Sequence, residues 1–211
     1  MLTVHGRADS PNVSMVMWAL AELGLPSERL DVGGPFGGTD TPAFRAMNPT
    51  GLVPVLQDGD LVLFETGAIL RYLANRYGRP PFWPDDPLAR ARIDVWAEWG
   101  KLTLFADFNG PVFRKRLFTR DQVQIDAGLA ALGRDLDILE ARLEGLAYLA
   151  GPDLTLADIP VGALLYRLFE AERPDRPALA AYYARLSQRP AYAGHVMIPW
   201  PARRAPKETA R

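Results

Sequence analysis

The chain has 211 residues, a formal net charge of −1 and a composition that is 48% hydrophobic and 23% charged. This is the composition of a globular protein with one large domain or two small ones, and its charge gives no electrostatic case for a nucleic acid or an anionic membrane as partner. No apolar run reaches the roughly 20 residues of a membrane span. The chain has no cysteine, and its two histidines, His5 and His195, are far apart, so a metal site is not expected. MLTVHGRADS has no apolar signal region, and we therefore expect a cytoplasmic protein.

The beginning of the chain alternates predicted strands and helices. LTVHG (2–6) and SERLDV (27–32) have the length of short strands. Between them, apolar residues recur at three- and four-residue spacing from Val13 to Leu23. This spacing predicts an amphipathic helix that stops at Gly24.

A second group of elements completes the first third of the chain. The glycine-rich loop GGPFGG is followed by a short predicted helix, Pro42–Met47. VPVLQ and LVLFE are apolar strands joined at Asp58-Gly59, a pair that suits a tight hairpin turn. TGAILRYLANRYG is a further amphipathic helix with a glycine stop. The predicted order is β-α-β-α-β-β-α.

The remainder of the chain is predicted to be helical. RPPFWPDDP has four prolines in nine residues, which excludes a helix and indicates a linker. We therefore predict domains at 1–78 and 86–211, joined by residues 79–85. Leucines from Leu129 to Leu146 form an apolar stripe on one long helix. PALAAYYARLSQRP is predicted to be the last amphipathic helix. Thr155 and Asp158 form a predicted capping box, and the tail from Pro199 onward is expected to be loose.

Three short motifs occur in a characteristic order. SPNV opens the first helix, VP opens the third strand, and ET opens the helix after the hairpin. Together with LTLADI in the second half, this order resembles the cytosolic glutathione S-transferase family, and its bacterial members of theta or nu type in particular. The resemblance covers nearly the whole chain. It implies an α/β thioredoxin-like N-terminal domain followed by an all-α C-terminal domain.

The resemblance implies an enzyme that adds the thiolate of glutathione, its cosubstrate, to a small hydrophobic electrophile. Ser10 precedes Pro11, so it is a plausible N-cap of the first helix. Its oxygen can accept a backbone hydrogen bond while its hydroxyl hydrogen points at the thiol sulfur and stabilises the thiolate. Asn12 is the rival, because the asparagine of nu-type relatives is placed against the sulfur. Ser10 is favoured slightly, and a solvent-facing Asn12 is the alternative without a function.

Other residues are assigned to glutathione binding by the same resemblance. Glu65 and Thr66 could simply cap a helix, but in the family this acid and hydroxyl hold the γ-glutamyl end of glutathione. The Val53-Pro54 bond is expected to be cis, with the backbone of Val53 pairing with the cysteinyl part of glutathione.

Two departures from the family pattern weaken the expected site. Met15 and Leu52 stand where relatives carry lysines, and the second lysine normally meets the glycyl carboxylate. Arg45 or Thr39 could compensate. The alternatives to a transferase are therefore a non-catalytic binding or interaction protein of this fold, and a glutathione-dependent isomerase or peroxidase.

The electrophile is expected to bind between the two halves. Four aromatic residues of the helical half, together with Val112, are candidates to line that pocket: Trp99, Phe105, Phe108 and Tyr166. The basic run Arg114–Arg116 is expected near this pocket and is interpreted as a solvated face. The resemblance also implies a homodimer, with the helix TGAILRYLANRYG and the helix from Asp86 at its interface.

Overall fold

The computed structural model describes residues 1–118 and 121–199, and it begins with a four-stranded mixed sheet. The strands are β1 (Leu2–His5), β2 (Ser27–Leu30), β3 (Val55–Asp58) and β4 (Leu61–Phe64), in the order β2-β1-β3-β4. β1 pairs with β2 in parallel and with β3 in antiparallel register, and β3 and β4 form the antiparallel hairpin. The predicted strands are confirmed, although β3 begins two residues after Val53.

Three helices accompany this sheet: α1 (Pro11–Glu22), α2 (Pro42–Met47) and α3 (Thr66–Tyr77). The predicted order β-α-β-α-β-β-α is thereby confirmed. α1 is buried on two sides, since Val13 and Leu20 pack with the sheet and α3, whereas Trp18 packs in the core of the helical half. This central position fixes the N-terminal end of α1 at the boundary between the two halves.

The helical half begins with a run that is not α-helical throughout. α4 (Pro87–Trp99) continues into π-helical turns at Gly100–Leu104, α5 (Phe105–Phe108), further π-helical turns at Asn109–Arg114, and α6 (Lys115–Phe118). The later helices are α7 (Gln122–Leu143), α8 (Asp158–Ala171), α9 (Pro177–Ser187) and α10 (Pro190–His195). None of the helices in the described residues is long and apolar enough to cross a membrane.

The predicted leucine stripe is correct only as far as Leu143. α7 ends there, and Leu146 lies beyond it. Gly145 has a φ of +73°, a left-handed conformation that glycine adopts without steric cost, so the chain turns away before Leu146. Of the predicted tail, Pro199 is the last residue within the described part, and the stretch from Trp200 to Arg211 lies outside it.

The predicted capping box lies in the core. A capping box places its acidic residue at the third position of the helix, but α8 begins at Asp158 itself. The expected bond from the Thr155 backbone N–H to Asp158 Oδ2 is nevertheless present, at 2.7 Å. Leu149 N–H and the Tyr182 hydroxyl donate to Oδ1 at 2.9 and 2.8 Å, so this carboxylate ties three segments together.

Candidate functional site

A cavity of about 380 Å³ lies between the sheet half and the helical half. The sheet half contributes the loop before α1, the start of α1 and the residues before β3: Arg7, Asp9, Ser10, Pro11, Asn12, Leu52 and Val53. The helical half contributes residues of the π-helical region and of α8: Phe105, Asn109, Phe113, Arg114 and Arg167. The structure thus brings Ser10, Asn12, Val53 and Phe105, four of the predicted site residues, to one cavity.

Ser10 has the backbone conformation of an N-cap but not its side-chain bond. Its φ and ψ are −79° and 125°, and its carbonyl oxygen accepts a bond from Ser14 N–H at 2.9 Å. Its hydroxyl makes no capping hydrogen bond, although the residue is only 4% exposed. Ser10 is therefore the N-cap residue, as predicted, but its hydroxyl makes no bond to the helix terminus and is available to a ligand.

Asn12 is the second residue of α1 and is partly buried. Its Oδ1 is buried and has no hydrogen-bond partner. Buried amide oxygens in native proteins are almost always paired, so an orphaned one beside a cavity needs an explanation. A bound ligand is one such explanation, because it would supply the missing partner.

Glu65 and Thr66 begin α3, away from the lining of this cavity. Glu65 has a φ of +69°, a conformation that costs a non-glycine residue about 1–3 kcal/mol, and its side chain makes no capping bond. Strain of this kind persists mostly at functional positions. Lys101 belongs to the helical half. Burial lowers the pKa of its ammonium group, and the Glu65 carboxylate only partly offsets this. Its Nζ lies 4.4 Å from the centroid of the Phe105 ring. Lys101 was not among the residues predicted from the sequence.

The peptide bond between Val53 and Pro54 is cis, as expected. Leu52, just before it, is 64% exposed and lies at the rim of the cavity. Met15 is fully buried in the helical core, so its side chain contributes packing there. Arg45 donates to the carbonyl oxygen of Pro49 at 2.7 Å.

Thr39 stands apart from the cavity lining. Its methyl group lies against Gly33 in the loop after β2.

The candidates for the electrophile pocket divide into two groups. Phe105 lines the cavity, whereas Phe108 and Val112 are buried in the helical core. Trp99 packs edge-to-face on Trp96 with 5.7 Å between ring centroids, and Tyr166 is packed against the same core. Each π-helical turn holds more than the 3.6 residues of an α-helical turn and so rotates the residues that follow. The π-helical turns on either side of α5 therefore affect which residues after Gly100 face the cavity.

Asn109 and Phe113 also line the cavity, and neither was assigned to it from the sequence. Arg114, expected near the pocket on a solvated face, lines the cavity and is exposed. A larger cavity of about 780 Å³ lies between this region and α7, lined largely by small residues such as Gly110, Pro111 and Ala131. It contains none of the predicted site residues, so the smaller cavity is the better candidate.

Arg167 on α8 is the second residue that sequence reasoning missed. It is 1% exposed, and its Nη2 donates to the backbone oxygen of Asp9 at 2.9 Å, next to Ser10. Its Nη1 has no partner. Burial lowers the pKa of this guanidinium to about 10, which still leaves it protonated at neutral pH. Arg7 pairs with the carboxylate of Asp9 at 3.0 Å, so two arginines flank that residue.

The described ranges contain no set of side chains arranged to bind a metal ion. Within residues 1–118 and 121–199, no group of three or more histidine, cysteine, aspartate or glutamate side chains is placed to hold a metal ion.

Family models account for most of the chain. Residues 4–81 match the glutathione S-transferase N-terminal domain, and residues 93–190 match the glutathione S-transferase C-terminal domain. The chain belongs to the glutathione S-transferase family. The resemblance deduced from the SPNV, VP and ET motifs is therefore confirmed, as is the combination of a thioredoxin-like domain with a helical domain.

Individual family members align over almost their full length. The glutathione S-transferase GstB of Escherichia coli is 38% identical over 206 residues, which covers 94% of this chain and 99% of the relative. Glutathione S-transferase 3 of Zea mays is 35% identical over 90% of this chain and 91% of its own. A theta-class glutathione S-transferase of Xanthomonas axonopodis pv. citri, solved with glutathione bound, has a TM-score of 0.86 and 44% identity, covering 94% of this chain and 98% of that one.

Proposed function

We propose that the protein transfers the sulfur of glutathione to a small electrophile bound in the cavity between its two halves. The observation that carries the proposal is that Ser10 and Asn12 lie together at that cavity, and that the Ser10 hydroxyl makes no capping hydrogen bond. Family membership and the theta-class relative with glutathione bound support the same cosubstrate. A thioredoxin-like domain without cysteine has no thiol of its own, so the reacting sulfur has to arrive with the cosubstrate.

The chemistry required of the protein is ionisation of the thiol. A free thiol has a pKa of about 8.5, and lowering it by about two units needs roughly 2.7 kcal/mol of preferential stabilisation of the anion. A hydrogen bond donated by the Ser10 hydroxyl, or by the Asn12 amide, together with the N-terminal end of α1, supplies an effect of this size. The thiol proton is released to solvent. The thiolate then forms a carbon–sulfur bond, and the leaving group departs with its electron pair or the electrophile accepts the addition.

The remaining residues would hold the peptide. The Glu65 carboxylate suits the γ-glutamyl amine, and Thr66 with the first N–H groups of α3 suits the γ-glutamyl carboxylate. The backbone of Val53 would pair with the cysteinyl unit as an added strand does. Thr39 is a candidate for the glycyl end, where the exposed Leu52 offers no charge.

A titration of glutathione by calorimetry, combined with assays on aryl halides, isothiocyanates and hydroperoxides, tests this function. We expect micromolar-to-millimolar binding and conjugation of at least one of the halides or isothiocyanates. Failure of both binding and turnover would refute the proposal. Binding without any turnover would favour the non-catalytic alternative, which Leu52 motivates, and turnover confined to hydroperoxides would favour a peroxidase.

We also propose that the protein is a homodimer that works in the cytoplasm. Leu88 and Val95 lie seven residues apart on α4 and are exposed, and Leu102, in the π-helical turns that follow, is exposed as well. Exposed apolar side chains in one region favour burial against a second copy. Light scattering that gave a mass near 23.3 kDa at micromolar concentration would contradict the dimer, and cell fractionation tests the location.

A further inference from the structure

Three arginines line the cavity between the halves, against a single carboxylate. They are Arg7, Arg114 and Arg167, and the carboxylate is that of Asp9. We propose that the electrophile carries a carboxylate group, and that Arg167 binds this group in the electrophile's part of the cavity. The inference rests on the proposed glutathione transfer and narrows its substrate class from hydrophobic to anionic electrophiles.

The burial of Arg167 is the first argument. A guanidinium that is 1% exposed has lost nearly all contact with water, which is costly unless its donors are paired. One donor nitrogen, Nη2, bonds to the Asp9 carbonyl oxygen, but Nη1 has no partner. Arg167 lines the cavity, and its Nη1 lacks a hydrogen-bond acceptor. A ligand carboxylate would supply it, and guanidinium groups bind carboxylates more tightly than neutral acceptors.

The charges around Arg167 supply the second argument. The carboxylate of Asp9 pairs with Arg7 at 3.0 Å, whereas the bond from Arg167 to the same residue goes to its backbone oxygen. Arg167 therefore has no direct carboxylate bond from Asp9. The Asp9 carboxylate is thus engaged by Arg7, and the positive charge of Arg167 at the cavity attracts a ligand of the opposite sign.

The apolar lining of the same region suits the body of the electrophile. Phe105 and Phe113 both line the cavity, and the Phe113 ring centroid lies 5.7 Å from Cζ of Arg167. A planar electrophile that stacks on these rings would bring a substituent within reach of the guanidinium. For an aryl halide, the thiolate sulfur forms the new bond to the ring carbon and the halide leaves with its electron pair, while the carboxylate takes no part in bond making. Arg167 is thus a specificity residue and does not act on the reacting atoms.

Two other roles for Arg167 predict different results. If it stabilised the thiolate directly, its loss would raise the pKa of bound glutathione and slow every electrophile equally. If it only ordered the loop before Ser10, its loss would lower the melting temperature and affect every substrate. Only recognition of an anion predicts an effect confined to anionic substrates.

The test compares chlorodinitrobenzoate with its methyl ester and with chlorodinitrobenzene, each corrected for its uncatalysed rate with glutathione. The wild-type protein should prefer the acid to the ester by about tenfold or more in kcat/KM, and this preference should shrink with added salt. Arg167→Met should lower kcat/KM for the acid by about 10- to 100-fold and change the ester by less than about threefold. Arg167→Lys should retain part of the preference, because it retains the charge. Arg134→Met, which changes an exposed arginine on α7, is the matched control and should change neither substrate.

Several outcomes would overturn the inference. A wild-type protein that conjugates the ester or chlorodinitrobenzene as well as the acid contradicts it without any variant, even if Arg167→Met does not fold. An equal loss for acid and ester in Arg167→Met, with a raised thiol pKa or a lowered melting temperature, also contradicts it. Failure of the proposed function itself is distinguishable, because the wild-type protein would then neither bind glutathione nor conjugate any of the three compounds.

Discussion

The carboxylate of Glu22 accepts two hydrogen bonds from the guanidinium of Arg189, with donor–acceptor distances of 2.8 and 2.6 Å. Trp18 Nε1 donates to the same carboxylate at 2.8 Å. The pair joins the end of α1, in the sheet half, to the start of α10, in the helical half. The carboxylate is well buried and all three of its bonds are charge-assisted, so it is expected to matter more than a surface ion pair.

Glu22→Gln should lower the free energy of unfolding by about 1–3 kcal/mol, because it leaves the guanidinium without a counter-charge in a sheltered position. Asp137→Asn is the matched control: Arg176 also contacts this carboxylate twice, at 3.0 and 2.6 Å, but the pair is exposed. We expect the control to cost less than about 0.5 kcal/mol. Urea unfolding followed by circular dichroism measures both, and equal costs would show that burial of the Glu22 pair adds nothing.

The buried carboxylate of Asp158 leads to a second prediction. It is 0% exposed and accepts bonds from three segments, through Leu149, Thr155 and Tyr182. Asp158→Asn replaces one acceptor oxygen by an N–H₂ group that faces existing donors, so we expect a loss of about 3 kcal/mol or more. Tyr182→Phe removes a single donor and should cost about 1 kcal/mol. Thermal and chemical unfolding of both variants test the ranking, and a larger loss from the tyrosine change would contradict it.

The fold was readable from the sequence where local signals are strong. The bounds of α2 were predicted as Pro42–Met47 and are found there, because a proline start and a following Asn-Pro mark both ends. The hairpin at Asp58-Gly59 and the order of elements in the sheet half followed from turn chemistry in the same way.

The residues of the site could be predicted only in part from the sequence, for two physical reasons. Phe108 was a candidate for the pocket, whereas Asn109 and Phe113, in the second run of π-helical turns, line the cavity. Such turns leave no mark in the hydrophobic pattern. Arg167 stands in a largely apolar helix, where the sequence alone would place an arginine on the solvent-exposed face. Its burial is evident only from the packing of α8 on the loop before Ser10. Nothing in the local sequence records a contact across 158 positions.

Asp135 provides a prediction about pH. Burial and the neighbouring Asp107 carboxylate raise the pKa of Asp135 to about 6, and its Oδ2 has no partner. Because the pKa is higher in the folded state than in the unfolded chain, this group stabilises the fold below about pH 4, and the contribution is lost as the pH rises through about 6. Asp135→Asn should therefore stabilise the protein at pH 7, by about 1–2 kcal/mol, with little gain near pH 4.

The control for this prediction is Asp60→Asn, at the exposed turn between β3 and β4. It should leave the free energy of unfolding nearly unchanged at both pH values. Denaturation curves from pH 4 to pH 8 on the three proteins make the comparison. A gain from Asp135→Asn that is the same at all pH values would show that ionisation of the Asp135 carboxyl is not its cause.

Activation of the thiol leads to the last prediction, which concerns Ser10 and Asn12. If the Ser10 hydroxyl stabilises the thiolate, Ser10→Ala should raise the pKa of bound glutathione by one unit or more, equivalent to about 1.36 kcal/mol. The rate at neutral pH should fall, while the affinity for glutathione should change little, since Glu65, Thr66 and Val53 are proposed to hold the peptide. A serine that caps its helix would also lose about 1 kcal/mol of stability on substitution by alanine. Because the Ser10 hydroxyl makes no capping bond, we expect the unfolding free energy to stay within about 0.5 kcal/mol.

Asn12→Ala separates the two candidates for this role. Its buried Oδ1 has no partner, so removing the amide should not destabilise α1 and could leave the fold slightly more stable. Titration of the thiolate absorbance of bound glutathione, performed on both variants, identifies the activating group. A shift with Ser10→Ala alone supports the hydroxyl, and a shift with Asn12→Ala alone transfers the role to the amide. If the pKa moves in neither variant, the sulfur is activated by the N-terminal end of α1 or by another group at the cavity, and the assignment to Ser10 is wrong.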